Sequence, residues 1–389
     1  MMDIGFIPLR KGSKGIKNKN KKKLLGKPLF SWVLAEAVIS DLDLIFVYTD
    51  DDFIIELIKK EYKYIKKLRV VKRPNSTATD TASTEFAMLE FIKDITEKVR
   101  SITLLQATSP MTTTNDINNS LRTLKNGNFD SVLSVVPFKR FIWNIENKPV
   151  NYNYKNRPRR QDSKIEFLEN GAIYSTYLES LEKSKNRLSG NIGRIEMDES
   201  TSYEIDSYHD WDLIESLLKN RLKAKKSISP IKYLVLDVDG VFTDGSIYNS
   251  KDGGYLKKFD MRDGMGLEIA RLQGIKIIVI TSENSEIVHS RMKKLNITDY
   301  YPGVKDKHTL LTILTSEKKI PIESIAYVGD DINDFSNMSS CGWSFAPSNA
   351  VNEIQNIADI VLGNKSGDRA IREVVEFIIK YNKRYDRKL

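Results

Sequence analysis

One cysteine, Cys341, and three histidines are all that 389 residues offer to soft-metal chemistry. A lone thiol excludes an intrachain disulfide and any multi-thiolate metal site, and so few imidazoles argue against a zinc cluster. A metal here would take oxygen ligands. Long apolar runs are missing too: Ile4–Ile7 is stopped by Pro8, and no stretch approaches the roughly 18 apolar residues of a membrane span. No signal-peptide pattern opens the chain, so a soluble, cytoplasmic protein without a membrane partner is expected. Lys+Arg 61 against Asp+Glu 52 leaves +9, which suits anionic partners from nucleotides and sugar phosphates to nucleic acid. Nucleic-acid binding would call for aromatics among the basic residues, and "KNKNKKK" has none. No nucleic-acid partner is expected.

The length exceeds one ordinary core, and the apolar pattern divides accordingly. Short strands at Ile4–Ile7, Leu44–Thr49, Val70–Val71, Ile102–Gln106 and Ser131–Val136 alternate with amphipathic helices such as Leu29–Val38, which predicts parallel strands with crossover helices. A helix over Trp211–Leu222 runs into "KAKKSISP", read as a linker over 223–230. After it the rhythm restarts: strand 231–236, helix Gly266–Leu272, strand Ile275–Ile280, helix Ser285–Leu295, strand Ile325–Val328. The expectation is two unrelated, doubly wound α/β domains, 1–222 and 231–389.

In the first, "GSKG" (Gly12–Gly15) follows a strand and precedes a helix. Glycines there permit close backbone approach, so successive N–H groups can face a phosphate, and Arg10, Lys14 and Lys19 add positive charge. The spacing is neither that of a Walker loop nor that of a dinucleotide loop.

Seven strings in order, "IPLRKGSKGIKNKNKKKLLGKPL", "VYTDDD", "KRPNSTATDTAST", "LLQATSP", "NRPRRQD", "LENGAIY" and "YEIDSYHDW", resemble the acylneuraminate cytidylyltransferases across nearly all of residues 1–222. The resemblance implies a Rossmann-like nucleotidyltransferase in which the anomeric hydroxyl of a nonulosonic acid attacks the α-phosphorus of CTP. It implies that Arg10, Ser13, Lys14 and Lys19 hold the triphosphate, with Asn20, Arg73 and Ser83 toward the cytidine and Gln106, Arg159, Glu169 and Asn170 toward the sugar. Asp206, with Glu204, would bind Mg²⁺, which favours one or two carboxylates plus substrate phosphates. Asp210 is either a further ligand or a helix cap. The family usually carries small residues where Leu9 and Lys11 stand, and an aspartate where Glu204 stands.

The second domain opens with "LDVDGVFTDG" (236–245), two carboxylates at i and i+2 after an apolar strand. Like charges so placed repel unless a cation joins them, and the spacing of an EF-hand calcium loop is absent. "VGDDIND" (328–334) follows another apolar strand. The order resembles the haloacid dehalogenase phosphatases, above all the nearly capless Kdo 8-phosphate phosphatases. It implies Asp237 as nucleophile and Asp239 as acid/base. Asp237, Asp330 and the backbone carbonyl of Asp239 would bind Mg²⁺, with Thr281 and Lys307 on the phosphoryl oxygens and Asp331 and Asp334 outside the metal's immediate ligands. Between Gly245 and Thr281 there is room for a hairpin and a helix but no cap domain, so the site should be open unless a neighbouring subunit covers it. A homo-oligomer, tetramer or dimer, is therefore expected.

Together the halves imply a bifunctional enzyme acting on CTP, a nonulosonic acid and its phosphate ester. Vertebrate synthetases resemble the same arrangement with a degraded aspartate pattern, whereas Asp237 and Asp239 are intact here. The alternatives are an inert, oligomerising second half, or a synthetase for the eight-carbon acid Kdo, against which "RPRRQD" and "ENGAIY" argue.

Overall fold

The computed structural model describes residues 1–386 apart from 13–14, 80, 160, 162–165, 225, 227–228, 250 and 252–254. Two compact units form. One comprises Met1–Asn20, Trp32–Glu56 and Ile65–Ile214, the other Lys21–Ser31, Leu57–Tyr64 and Glu215–Leu389.

The first unit is built on a seven-stranded sheet in the order Leu68–Lys72, Leu44–Thr49, Met2–Leu9, Val99–Leu105, Glu166–Tyr177, Ser131–Phe138, Ile192–Glu196. The first four strands are mutually parallel, and their inner members read as continuous apolar runs because helices cover both faces. Glu166–Tyr177 runs antiparallel to both neighbours. Sequence periodicity misses this strand because its first half, "EFLEN", is polar and Gly171 interrupts it. Gly171 takes a φ of +69°, where a Cβ would strike Glu204, and the register with Ser131–Phe138 shifts between Leu133 and Val135.

The second unit carries six parallel strands in the order Asp299–Tyr301, Lys276–Ile280, Tyr233–Leu236, Ile325–Val328, Trp343–Ala346, Ile360–Val361. Alternation along Tyr233–Leu236 sends Leu234 and Leu236 to one face, against Leu267, Ile371 and Val375, and Val235 to the other, against Leu310, Leu311 and Leu314. The predicted helix at Gly266 begins at Met261, capped by Asp260, whose carboxylate accepts from the Arg262 amide at 2.7 Å. Gly264 and Gly266 obscured that start, since glycine is a poor helix former. Gly266 sits against the backbone of Arg372, where a side chain would crowd the helix Ala370–Asp386. The expected hairpin after Gly245 is present as Tyr248–Asn249 and Tyr255–Leu256. Among the described residues no helix is long and apolar enough to cross a membrane.

Candidate active sites

In the first unit the loop after Met2–Leu9 borders a cavity of about 400 Å³ lined by Arg10, Gly12, Gly15, Lys19, Asn20, Gln106, Thr108 and Asp206, among others. Several contacts set its shape. Arg10 Nε donates to the Gly12 carbonyl at 2.8 Å, curling the loop, and Asn20 Nδ2 donates to the Arg10 carbonyl at 3.0 Å. Gly15 lies so close to the Asp206 carbonyl that a Cβ would collide with it. Lys19 Nζ donates to the Ile205 carbonyl at 2.7 Å and meets the Asp206 carboxylate at 3.0 Å. Ser13 and Lys14 lie outside the described residues.

Other sequence-predicted groups of this unit are not among the residues lining that cavity, and most are held by neighbours. Arg73 donates to Thr77 through Nε at 3.2 Å and also to its carbonyl. Ser83 caps the helix Thr84–Lys93, its hydroxyl accepting from the Phe86 amide at 3.0 Å. Asn170 is buried, accepting from Ser134 Oγ at 2.6 Å and donating to Thr201 Oγ1 at 3.0 Å. Glu169 accepts from the Tyr174 hydroxyl. Arg159 lines a separate cavity of about 500 Å³ with Lys139, Arg140 and Arg157. Asp210 is a capping residue: its carboxylate accepts from the Ser207 amide at 2.7 Å, before the helix Tyr208–Ala224. Burial, then the nearby Asp206 charge, raises Glu204 above the usual carboxylate range. A cation beside these two carboxylates would favour their charged forms and offset both effects.

In the second unit the strand ends assemble a tighter group. Leu236 is in register with Val279 on one side and Val328 on the other, so Asp237, Thr281 and Asp330 emerge at the same carboxyl-terminal edge. Carboxylate oxygens of Asp237, Asp330 and Asp334 lie within 4.8 Å of one another. Lys307, fully buried, is 2.7 Å from Asp237 Oδ2 and 2.8 Å from Asp334 Oδ1. Tyr327 also donates to Asp334 Oδ1, at 2.7 Å, so this carboxylate anchors the lysine. Gly240, at a φ of +80°, leaves room for Asp330, which would strike a Cβ there.

Burial pushes Asp237 up to about 7 against the pull of Lys307, and pushes Asp330 up to about 8 with help from Asp237 and Asp334. Asp330 Oδ1 is buried without a hydrogen-bond partner. Hard oxygens crowded in this way fit a divalent cation such as Mg²⁺.

Asp239 points to a second group that sequence spacing did not disclose. Its Oδ1 is 2.5 Å from Lys257 Nζ, and Lys257 also pairs with Glu283. Burial raises Asp239 even so, as a proton donor requires. Lys257 follows the short strand Tyr255–Leu256 in an unremarkable "YLKKF", and no local signal marks it.

A phosphate-loop cleft on a largely parallel sheet and a carboxylate-lysine cluster at the strand ends of another define a nucleotidyltransferase joined to a haloacid dehalogenase-like hydrolase. Family comparison agrees: residues 4–228 match the cytidylyltransferase family and 267–374 the haloacid dehalogenase-like hydrolases. N-acylneuraminate cytidylyltransferase B of Danio rerio is 30% identical over 98% of this chain and 91% of its own length. The 3-deoxy-D-manno-octulosonate 8-phosphate phosphatase KdsC of Haemophilus influenzae is 32% identical over 40% of this chain and 87% of its own length. A solved 3-deoxy-D-manno-octulosonate 8-phosphate phosphatase from Moraxella catarrhalis is 31% identical over 44% of this chain and 95% of that one, with a TM-score of 0.39. The chain belongs to the N-acylneuraminate cytidylyltransferase family, and its C-terminal part to the KdsC-type haloacid dehalogenase-like hydrolases.

Proposed function

We propose that the first unit transfers CMP from CTP to the anomeric hydroxyl of a nonulosonic acid, and that the second hydrolyses a phosphate ester of such an acid. The observation that carries the bifunctional reading is the intact cluster of Asp237, Asp330, Asp334 and Lys307. An inert module has no use for three carboxylates and an ammonium desolvated together.

In the transfer reaction the sugar hydroxyl gives its proton to solvent as its oxygen bonds to the α-phosphorus, and the bond from that phosphorus to the leaving pyrophosphate oxygen breaks. The chain's part is positioning and charge neutralisation by Arg10 and Lys19 at the cavity, with Ser13 and Lys14 as further phosphate partners. Gln106 would meet the sugar there. We extend the sugar site to Arg159, Glu169 and Asn170 and the cytidine site to Arg73 and Ser83 by family resemblance.

In the hydrolysis Asp237 attacks phosphorus, the ester P–O bond breaks, and Asp239 protonates the leaving alkoxide. Asp239 then takes a proton from water as the water oxygen attacks phosphorus, freeing phosphate and restoring Asp237. Thr281 and Lys307 hold phosphoryl oxygens meanwhile.

Mg²⁺ held by Asp206 with Glu204 in the first unit, and by Asp237, Asp330 and the Asp239 carbonyl in the second, would neutralise phosphate charge. Exposed Ile247, Tyr248, Leu256 and Met261, on and beside the hairpin, support a homo-oligomer that covers the second site. Consumption of CTP suits a cytoplasmic enzyme. The test compares phosphate release from a nonulosonate 9-phosphate by wild type and Asp237→Asn. Release only by wild type supports the reading, and equal, negligible rates return the second half to an inert module.

A further inference from the structure

No step above uses the hairpin Lys23–Leu24 and Lys27–Pro28, which belongs to the second unit. Its turn places Leu25 at a φ of 50° and Gly26 at 87°. A Cβ on Gly26 would collide with the backbone carbonyl of Ile332, and Ser336 donates its hydroxyl to the Leu25 carbonyl. The turn is therefore seated on the stretch 330–336 that carries Asp330 and Asp334.

The next residue reaches the start of the helix that carries Lys307. Lys27, 2% exposed, donates from Nζ to Thr309 Oγ1 at 2.7 Å, with His308 Nδ1 at 3.3 Å and an Asp306 carboxylate oxygen at 3.8 Å. Thr309 Oγ1 donates in turn to Asp306 Oδ2 at 2.7 Å, and the Tyr62 hydroxyl donates to that same oxygen at 2.8 Å. Asp306 caps the helix Lys307–Glu317, whose first residue is the buried lysine of the cluster. An ammonium and a phenol thus hold the cap, and the cap fixes where Lys307 leaves the backbone. An apolar side chain would fill the place of Lys27 without the desolvation cost of a buried charge, so its directed hydrogen bonds are what distinguish lysine there.

We infer that Lys27 and Tyr62 are positioning residues for phosphoester hydrolysis. With the Gly26 turn they brace the two elements that aim Asp334 and Lys307 at Asp237. The inference rests on the phosphatase reading above. It makes hydrolysis depend on a segment whose partner His308 lies 281 positions further along the chain.

Full-length Lys27→Met and Tyr62→Phe are assayed for nonulosonate 9-phosphate hydrolysis and for CMP transfer, beside wild type and Asp237→Asn. Small misplacements of a positioned group are expensive in rate, so hydrolytic kcat should fall about tenfold in Lys27→Met and about threefold in Tyr62→Phe. KM should stay within about twofold, and CMP transfer should be unchanged. Wild-type kcat in both variants overturns the inference while leaving the phosphatase reading intact. If Lys27→Met loses both activities and its melting temperature together, Tyr62→Phe, which removes one oxygen, decides alone: a kcat at the wild-type level overturns the inference. A wild type that releases no phosphate refutes the phosphatase reading and the brace together.

Discussion

Lys307 and Asp237 form an ion pair of 2.7 Å inside the second unit, with no part of the lysine reaching solvent. Removing the cation would leave Asp237 facing Asp334 and Asp330 uncompensated. Lys307→Met should lower phosphate release by roughly a hundred- to a thousandfold, the usual effect of losing one electrostatic partner of a transferring group. It should also destabilise the unit by about 3 kcal/mol or more, as breaking a buried pair does. Steady-state phosphate release and thermal melting check the two parts.

Lys19 bridges the Ile205 carbonyl and the Asp206 carboxylate at the edge of the first cavity. Lys19→Met should reduce CMP transfer about a hundredfold. Phosphate release by the same preparation should stay at the wild-type level, which shows that the two chemistries use different residues. Assaying both products from one sample is sufficient.

Asp263 supplies a pH signature. Burial raises its carboxyl to about 6 against the hydrogen bond from the Arg372 amide, and Oδ2 has no partner. The folded value lies above the unfolded one, so the native state binds the extra proton, and stability falls as pH rises from about 4 through about 6. Asp263→Asn should flatten that part of the profile and melt no lower than wild type at pH 7.5. Melts at pH 5, 6 and 7.5 measure it.

Asp3 behaves in the opposite sense. Burial opposes its ionisation, but hydrogen bonds from Arg100, Lys125 and Ser101 outweigh burial and hold the carboxyl well below the usual range. Its contribution is present above about pH 4, the unfolded value, and is lost as pH falls toward the folded one. Asp3→Asn should cost about 1 to 2 kcal/mol at pH 7, at the low end for a buried pair because Arg100 and Lys125 are partly exposed. The difference from wild type should shrink in acid, as denaturant titrations at pH 7 and 3 would show.

What could be read from the chain was what lies close together along it. Apolar runs such as Leu44–Thr49 and Ile325–Val328 disclosed the parallel strands because both faces of those sheets are covered. Asp237 and Asp239 stand two apart just after the strand Tyr233–Leu236, so their common place at its end needed no long-range information, although the two carboxylates then join different groups. Lys257 and Glu283 are 26 positions apart and meet Asp239 only because the hairpin folds back over the strand ends. The dependence of Lys307 on Lys27 and Tyr62 was equally invisible, since each is an ordinary residue until folding places it at the Asp306 cap. From the sequence Asp334 reads only as a carboxylate outside the metal's immediate ligands, and nothing local discloses that its oxygens tie Lys307, Tyr327 and the Asp330 amide together.

The most direct test of two chemistries in one polypeptide is a single incubation with CTP, Mg²⁺ and a nonulosonate 9-phosphate, followed by mass spectrometry of the nucleotide sugars. The account predicts CMP-nonulosonate from wild type, none from Asp237→Asn, and full recovery in Asp237→Asn when the free acid replaces the ester. Formation of the CMP sugar from the ester by Asp237→Asn, or its absence with wild type while the free acid is converted normally, would contradict it.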